Sequence, residues 1–279
     1  MEPEYMKPVS QLFWIVSMLF LVPAIALRGD TANSLTQPFQ LAQRHPRLSW
    51  RVRVRSSRYR VGGLSRGNCP NRPETAAIAF VPPPRPEERI EQKRSAAVDI
   101  TLSDRPAFWV YVKSLPAKTP VQFTLQTVDQ HELTGYREVY NTRLEAKGGT
   151  GLLGVRIPKT VPALNVGESY SWKMAIVCDL NKRDADVVIE SWVQRLLPEQ
   201  IQPTTDFDPK PLVQKLARAS DRDKPTLYAG LGVWQDAVTT LIDLQQKQPQ
   251  NRELAEDWRN LLVGAQLGDY VSAPVLEMK

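Results

Sequence analysis

Histidine and cysteine are scarce, with two of each in 279 residues. A Ser-His-Asp hydrolase would have to use His45 or His131, and no Gly-x-Ser-x-Gly elbow accompanies either. His45 sits in an arginine-rich arm, and His131 lies in DQHELTG, which reads as a hairpin tip. A zinc site built from Cys69, Cys178 and His131 would have a spacing unlike recurrent zinc sites. Cysteines joined in a disulfide are in any case lost as ligands. No Gly-Lys-Ser/Thr string occurs, so no P-loop is present. GTGLLG, residues 149–154, matches Gly-x-Gly-x-x-Gly, but VRIPKTVP follows where a phosphate site needs a helix N-terminus. It reads as a hairpin connection. Acidic residues are plentiful, yet no spacing singles out a carboxylate pair for sugar hydrolysis. No catalytic residue, metal ligand or cofactor site emerges, and nucleic acid is not an expected partner.

Long apolar runs are equally rare. LFWIVSMLFLVPAIAL, residues 12–27, is shorter than the roughly 20 residues that a spanning helix needs. Ala24-Ile25-Ala26 supplies the small-x-small pattern of a signal-peptidase site. Residues 1–26 therefore read as a signal peptide, with an uncleaved anchor as the alternative and the only membrane contact expected. Glu2 and Glu4 depart from the usual basic start; translation from Met6 would restore it through Lys7. Either way the bulk of the chain is expected outside the cytoplasm, periplasmic or secreted. An exported chain with two cysteines usually joins them. Cys69 and Cys178 lie 109 residues apart, and closing that loop is worth about 4–5 kcal/mol on the chain-entropy model. Two unrelated buried thiols are the other reading.

Residues 27–73 form a basic arm ending in a Gly-rich loop around Cys69. Residues 33–73 carry nine arginines and no Asp, Glu or Lys. The net charge is +6, so removing the arm's +9 leaves −3 for the rest of the chain. In WRVRVRSSRYR an extended backbone places Arg51, Arg53 and Arg55 on one side. Together with Arg58, Arg60 and Arg66 they are candidate anion-binding residues for an anionic envelope polymer. A solvated lead-in to the domain is the plainer reading of the same strip.

Twenty-three prolines punctuate the chain into short elements. PPPRP, residues 82–86, and the charged run after it read as an exposed loop. Then come AFWVYV, VQFTLQTV, REVYNTRL, GLLGVRIP, YSWKMAIVCD and DVVIESWVQRL, each bounded by Gly, Pro, Asn or Asp. Val121, Phe123 and Leu125 alternate with Gln122, Thr124 and Gln126, and Tyr170, Trp172, Met174, Ile176 and Cys178 share one face. Trp109, Trp172 and Trp192 read as core aromatics, with a sugar platform as the functional alternative. Residues 74–198 are thus expected to form an antiparallel β-sandwich. The pattern changes near Pro198. Asp208 and Pro209 open a helix; Trp234, Ala237, Val238, Leu241 and Leu244 form a second helical face. Leu254, Trp258, Leu261, Leu262 and Ala265 form a third. Residues 199–279 therefore read as a small helical unit, giving a mainly β fold with α.

LGVWQDAVTTLIDLQQKQP resembles the second half of a tetratricopeptide repeat through Gly232, Trp234, Ala237, Leu241, Leu244 and Pro249. Before it only Tyr228 fits, and half a repeat cannot build an array. Helices packing against the sandwich are the expectation. The mature chain also resembles a cyanobacterial family known as domain of unknown function 928. The pieces that carry this are RVGGLSRGNC, AFWVYV, SYSWKMAIVCDLNKRDADVVIESWVQR and YAGLGVWQDAVTTL. Both cysteines match, which supports pairing Cys69 with Cys178, while Leu64 stands where the family usually shows a third glycine. The resemblance implies export and brings no activity or substrate. The leading expectation is a non-catalytic extracytoplasmic interaction or assembly protein with an envelope protein partner. Binding of an anionic polymer through the arm comes second, and an enzyme acting on envelope polysaccharide third.

Overall fold

The computed structural model describes residue 69 and residues 75–83, 98–128, 135–204 and 206–278, all of which fall within one compact unit. The basic arm, Gly62, Gly63, Gly67, both histidines and the signal-peptide segment lie outside the described residues.

Among the described residues eight strands build two sheets. Strands β1 (Ala76–Ala79), β3 (Ala107–Leu115) and β6 (Gly149–Arg156) form a three-stranded sheet in the order β1-β3-β6. The five-stranded sheet runs β2-β8-β7-β4-β5, from β2 (Asp99–Thr101), β8 (Val187–Arg195), β7 (Ser169–Ile176), β4 (Thr119–Val128) and β5 (Tyr136–Ala146). All six strands legible in the sequence are present. β1 and β2 are additional, because four and three residues carry too little alternation to be read. The sandwich is antiparallel except for one pair: β2 runs parallel to β8. GTGLLG is not a connection; it lies wholly within β6.

The period-two pattern explains the interior. Val121, Phe123 and Leu125 of β4 face inward beside Ile176, Met174 and Trp172 of β7, their cross-strand partners. Phe108 reaches them from the opposite sheet, with its ring centroid 5.2 Å from that of Phe123 and 5.3 Å from that of Trp172. Burying side chains of this size stabilises the fold by roughly 1.5–3 kcal/mol each. The outer parity of β3 is also covered. Trp109 and Tyr111 point away from the sandwich interior, towards the helices.

Four helices follow the sheets among the described residues: α1 (Lys210–Leu216), α2 (Lys224–Leu231), α3 (Trp234–Lys247) and α4 (Arg252–Gly264). Lys210 N donates to Asp208 Oδ1 at 3.0 Å, so Asp208 serves the first turn of α1 as the sequence suggests. Gly232 ends α2 at φ 77°, a left-handed conformation that favours glycine. Asn251 caps α4 by accepting from Glu253 N at 3.0 Å and Leu254 N at 3.3 Å. Helix α3 packs against β2 and β3, and α4 packs on α3. One apolar cluster runs through both sheets and on into α3 and α4. The C-terminal segment then borders β6: Leu152 N donates to the Pro274 carbonyl and Leu276 N to the Leu152 carbonyl, both at 2.8 Å. That pairing covers an edge that would otherwise expose unpaired backbone.

Gly154 is where sequence and packing meet most tightly. It lies opposite Trp109 in the β3–β6 register, and a Cβ there would overlap the indole ring. The indole is held in place, since Trp109 Nε1 donates to Thr239 Oγ1 of α3 at 2.9 Å. A Gly154→Ala substitution is expected to destabilise the protein by about 1–3 kcal/mol, read as a lower urea midpoint. An unchanged midpoint would mean that the indole shifts at no cost.

Candidate functional site

The disulfide predicted between Cys69 and Cys178 is present, with the Cα atoms 5.2 Å apart. Its surroundings account for one of the family-like pieces. Asp186 is buried and accepts from Cys178 N at 3.1 Å, while its other oxygen takes Arg183 Nε at 2.6 Å. The Arg-x-Ala-Asp string, Arg183 to Asp186, therefore fixes the backbone of the cysteine that ends the strand run. Cys178 itself is half-buried just past β7.

The pieces AFWVYV and YAGLGVWQDAVTTL meet at α3. Trp234 Nε1 donates to the Phe80 carbonyl at 2.7 Å, and Phe80 N donates to the Trp109 carbonyl at 2.9 Å. Rings of Trp234, Trp258 and Tyr270 surround Phe80 at 6.1–6.2 Å. Two residues along α3, Asp236 is buried and accepts from Thr101 Oγ1 at 2.9 Å and from Leu102 N at 2.7 Å. A carboxylate in the first helical turn also meets the positive end of the helix dipole. Burial pushes the Asp236 carboxyl up to about 6, although Leu102, Thr101 and Ser103 pull it back by hydrogen bonding.

Two clefts flank this junction and share Ser103 and Arg105. The smaller, about 220 Å³, has Tyr228, Asp236, Thr239 and Thr240 in its walls. Burial, with Asp236 and Asp221 nearby, pushes the Tyr228 phenol up to about 12. The larger, about 510 Å³, is lined by Asp104, Arg156, Ile157 and Lys159 as well. Arg105 is engaged by Asp104 at 2.8 Å and by the Val161 carbonyl at 3.2 Å. Arg156 pairs with Asp243 and lies 5.9 Å above the Trp109 ring, a cation–π contact. The clefts offer fixed hydroxyls and cations. The Asp236 carboxylate is engaged by the β2–β3 loop. Among the described residues no group of three His, Cys, Asp or Glu side chains is placed to hold a metal ion, and no helix is long and apolar enough to cross a membrane.

The candidate anion-binding residues Arg51, Arg53, Arg55, Arg58, Arg60 and Arg66 lie outside the described residues. The three strand tryptophans separate. Trp172 is buried between the sheets and Trp109 under α3. Trp192 is on the outer face of the five-stranded sheet, partly exposed, with the Tyr136 ring 6.1 Å away. What the sequence reading missed is this aromatic pair and the Asp236 latch. The signal for the first was available as parity: Val187, Ile189 and Val193 face inward, which places Trp192 outward. No sequence pattern announces that the Asp236 carboxylate meets Thr101, since the two lie 135 residues apart.

The family model of the Domain of Unknown Function (DUF928) matches residues 61–275, and the chain belongs to that family. No curated protein matches the chain.

Asp99 gives the junction a pH signature. It is buried on β2 with Oδ2 unpartnered among the described residues, and burial pushes its carboxyl up to about 7. Asp99 and Asp236 both sit above the ordinary aspartate value of 3.8, so each contributes most to stability when protonated. That contribution is full below about pH 4 and is lost as pH rises through about 6 for Asp236 and about 7 for Asp99. Asp99→Asn should therefore stabilise the protein at pH 8 by about 2–4 kcal/mol and change little at pH 4. Urea unfolding at both pH values reads this; an equal difference at the two would contradict it.

Proposed function

We propose that this member of the family is a non-catalytic extracytoplasmic interaction or assembly protein of the cell envelope. The observation that carries the reading is the use made of Asp236. A general acid or base needs a carboxyl with an oxygen turned to the substrate. The Asp236 carboxyl instead takes donors from Thr101 and Leu102, so it latches the β2–β3 loop to α3. Helices α3 and α4, in turn, direct their apolar faces into the shared core. The Cys69–Cys178 bond supports placement in an oxidising compartment, where such bonds persist. A second reading, attachment to an anionic polymer, draws support from the cationic lining of the larger cleft by Arg105, Arg156 and Lys159.

The test is an assay for new reducing ends and released peptides after incubating the full chain with envelope polysaccharide and peptidoglycan. No release is expected. At pH 4, where no charge is removed, Asp236→Asn should lower stability by about 1–3 kcal/mol, because a buried acceptor site is disturbed. Release by the parent chain that disappears in Asp236→Asn would overturn the reading and make the cleft an active site.

A further inference from the structure

The outer face of the five-stranded sheet carries an aromatic pair that the core does not use. Strand register places Glu138, Gln126, Ser171 and Trp192 in one row across four strands, with their side chains on the outer face. Tyr136 and Val128 occupy the next position outward, 39% and 54% exposed. The Tyr136 and Trp192 ring centroids are 6.1 Å apart at an interplanar angle of 49°. Ser171, between Gln126 and Trp192 in that row, is buried and donates to Glu190 Oε1 at 3.1 Å.

Planar hydrogen-bonding groups continue from the rings along the face. Asn141 Nδ2 donates to Glu138 Oε2 at 2.9 Å, and Gln122 Nε2 donates to Asn141 Oδ1 at 3.3 Å. Arg183 donates to Gln122 Oε1 at 3.0 Å, and Lys173 lies 3.7 Å from Glu190. The side chains are thus already oriented by one another, and both signs of charge occur among them. Among the described residues this face carries no excess of one sign to attract a polyanion.

We propose that this face binds a neutral polysaccharide, with the Tyr136–Trp192 pair as the stacking platform. The inference rests on the reading of the protein as a non-catalytic interaction protein and names its ligand class. A pyranose ring has an apolar C–H face and a rim of hydroxyls. The aromatic pair matches the first by dispersion and burial. The amides, which donate and accept, and the carboxylates, which accept, match the second. A protein partner fits the face less well. Lys173 and Glu190 separate its apolar residues Val128, Tyr136 and Trp192 from Ala175 and Val188, whereas a stable protein interface has a continuous apolar centre and buries about 1,200 Å² or more.

Affinity electrophoresis of the full chain tests this, in native gels containing hydroxyethylcellulose, galactomannan, dextran or alginate. Retardation is expected in at least one of the three neutral polymers, and the retardation should persist at high salt. Tyr136→Ala and Trp192→Ala should each weaken it at least tenfold, while Tyr136→Phe should retain it. Circular dichroism of each variant establishes that it is folded; Tyr136, at an edge strand, keeps the test open if the Trp192 variant fails to fold. Mobility unchanged in all three neutral gels overturns the proposal, as does retardation in alginate alone or retardation that survives both alanine substitutions. Polymer shortening during the run would instead overturn the non-catalytic reading, so the two failures are separable.

Discussion

The structure depends on a strand that is covered on both faces. β3 alternates like any sandwich strand, yet both parities are apolar: Phe108, Val110 and Val112 face the other sheet, while Trp109 and Tyr111 face the helical side. A sheet with one wet side would place polar residues at the second set of positions. Here α3 takes the place of water. Phe80, Trp234, Trp258 and Tyr270 then fill the space where β1, β3 and the helices converge. The sheet and the helices share this apolar interface, so neither has a complete core without the other.

Polar latches fix the geometry that the apolar cluster leaves adjustable. Hydrophobic contact is non-directional, whereas hydrogen bonds impose register. Trp109 to Thr239, Trp234 to the Phe80 carbonyl, and Asp236 to Thr101 and Leu102 tie one helix to three segments of the sheets. Burying Asp236 disfavours its charged form, and the donors offset part of that penalty. The same logic recurs at the disulfide, where Asp186 holds Cys178 and Arg183 together. The buried contacts of Trp109, Trp234, Asp236 and Asp186, all within family-like sequence pieces, are therefore architectural.

Much of this was legible in the residues. Strict alternation in VQFTLQTV and YSWKMAIVCD located strands β4 and β7 and named their inward faces, and the cysteine count, in a chain whose start reads as an export signal, pointed to the bond that is present. The short β1 and β2 were not legible, because AAIA and DIT carry no period. The parallel β2–β8 pair was not legible either, since pairing between residues 99 and 193 is a property of topology. GTGLLG misled because its glycines look like a turn; one of them, Gly154, is instead required by the Trp109 ring. Trp192 was grouped with the core tryptophans by residue type, when the parity of its neighbours already set it apart.

The central claim is that helices and sandwich fold as one body through the interface under Trp109. Urea unfolding of the disulfide-intact full chain, followed in parallel by helical circular dichroism and by tryptophan fluorescence, tests it most directly. The account predicts coincident midpoints and a single transition by both signals. Loss of the helical signal at clearly lower urea, with the buried tryptophans still native, would show that the sheets stand without α3 and would contradict it.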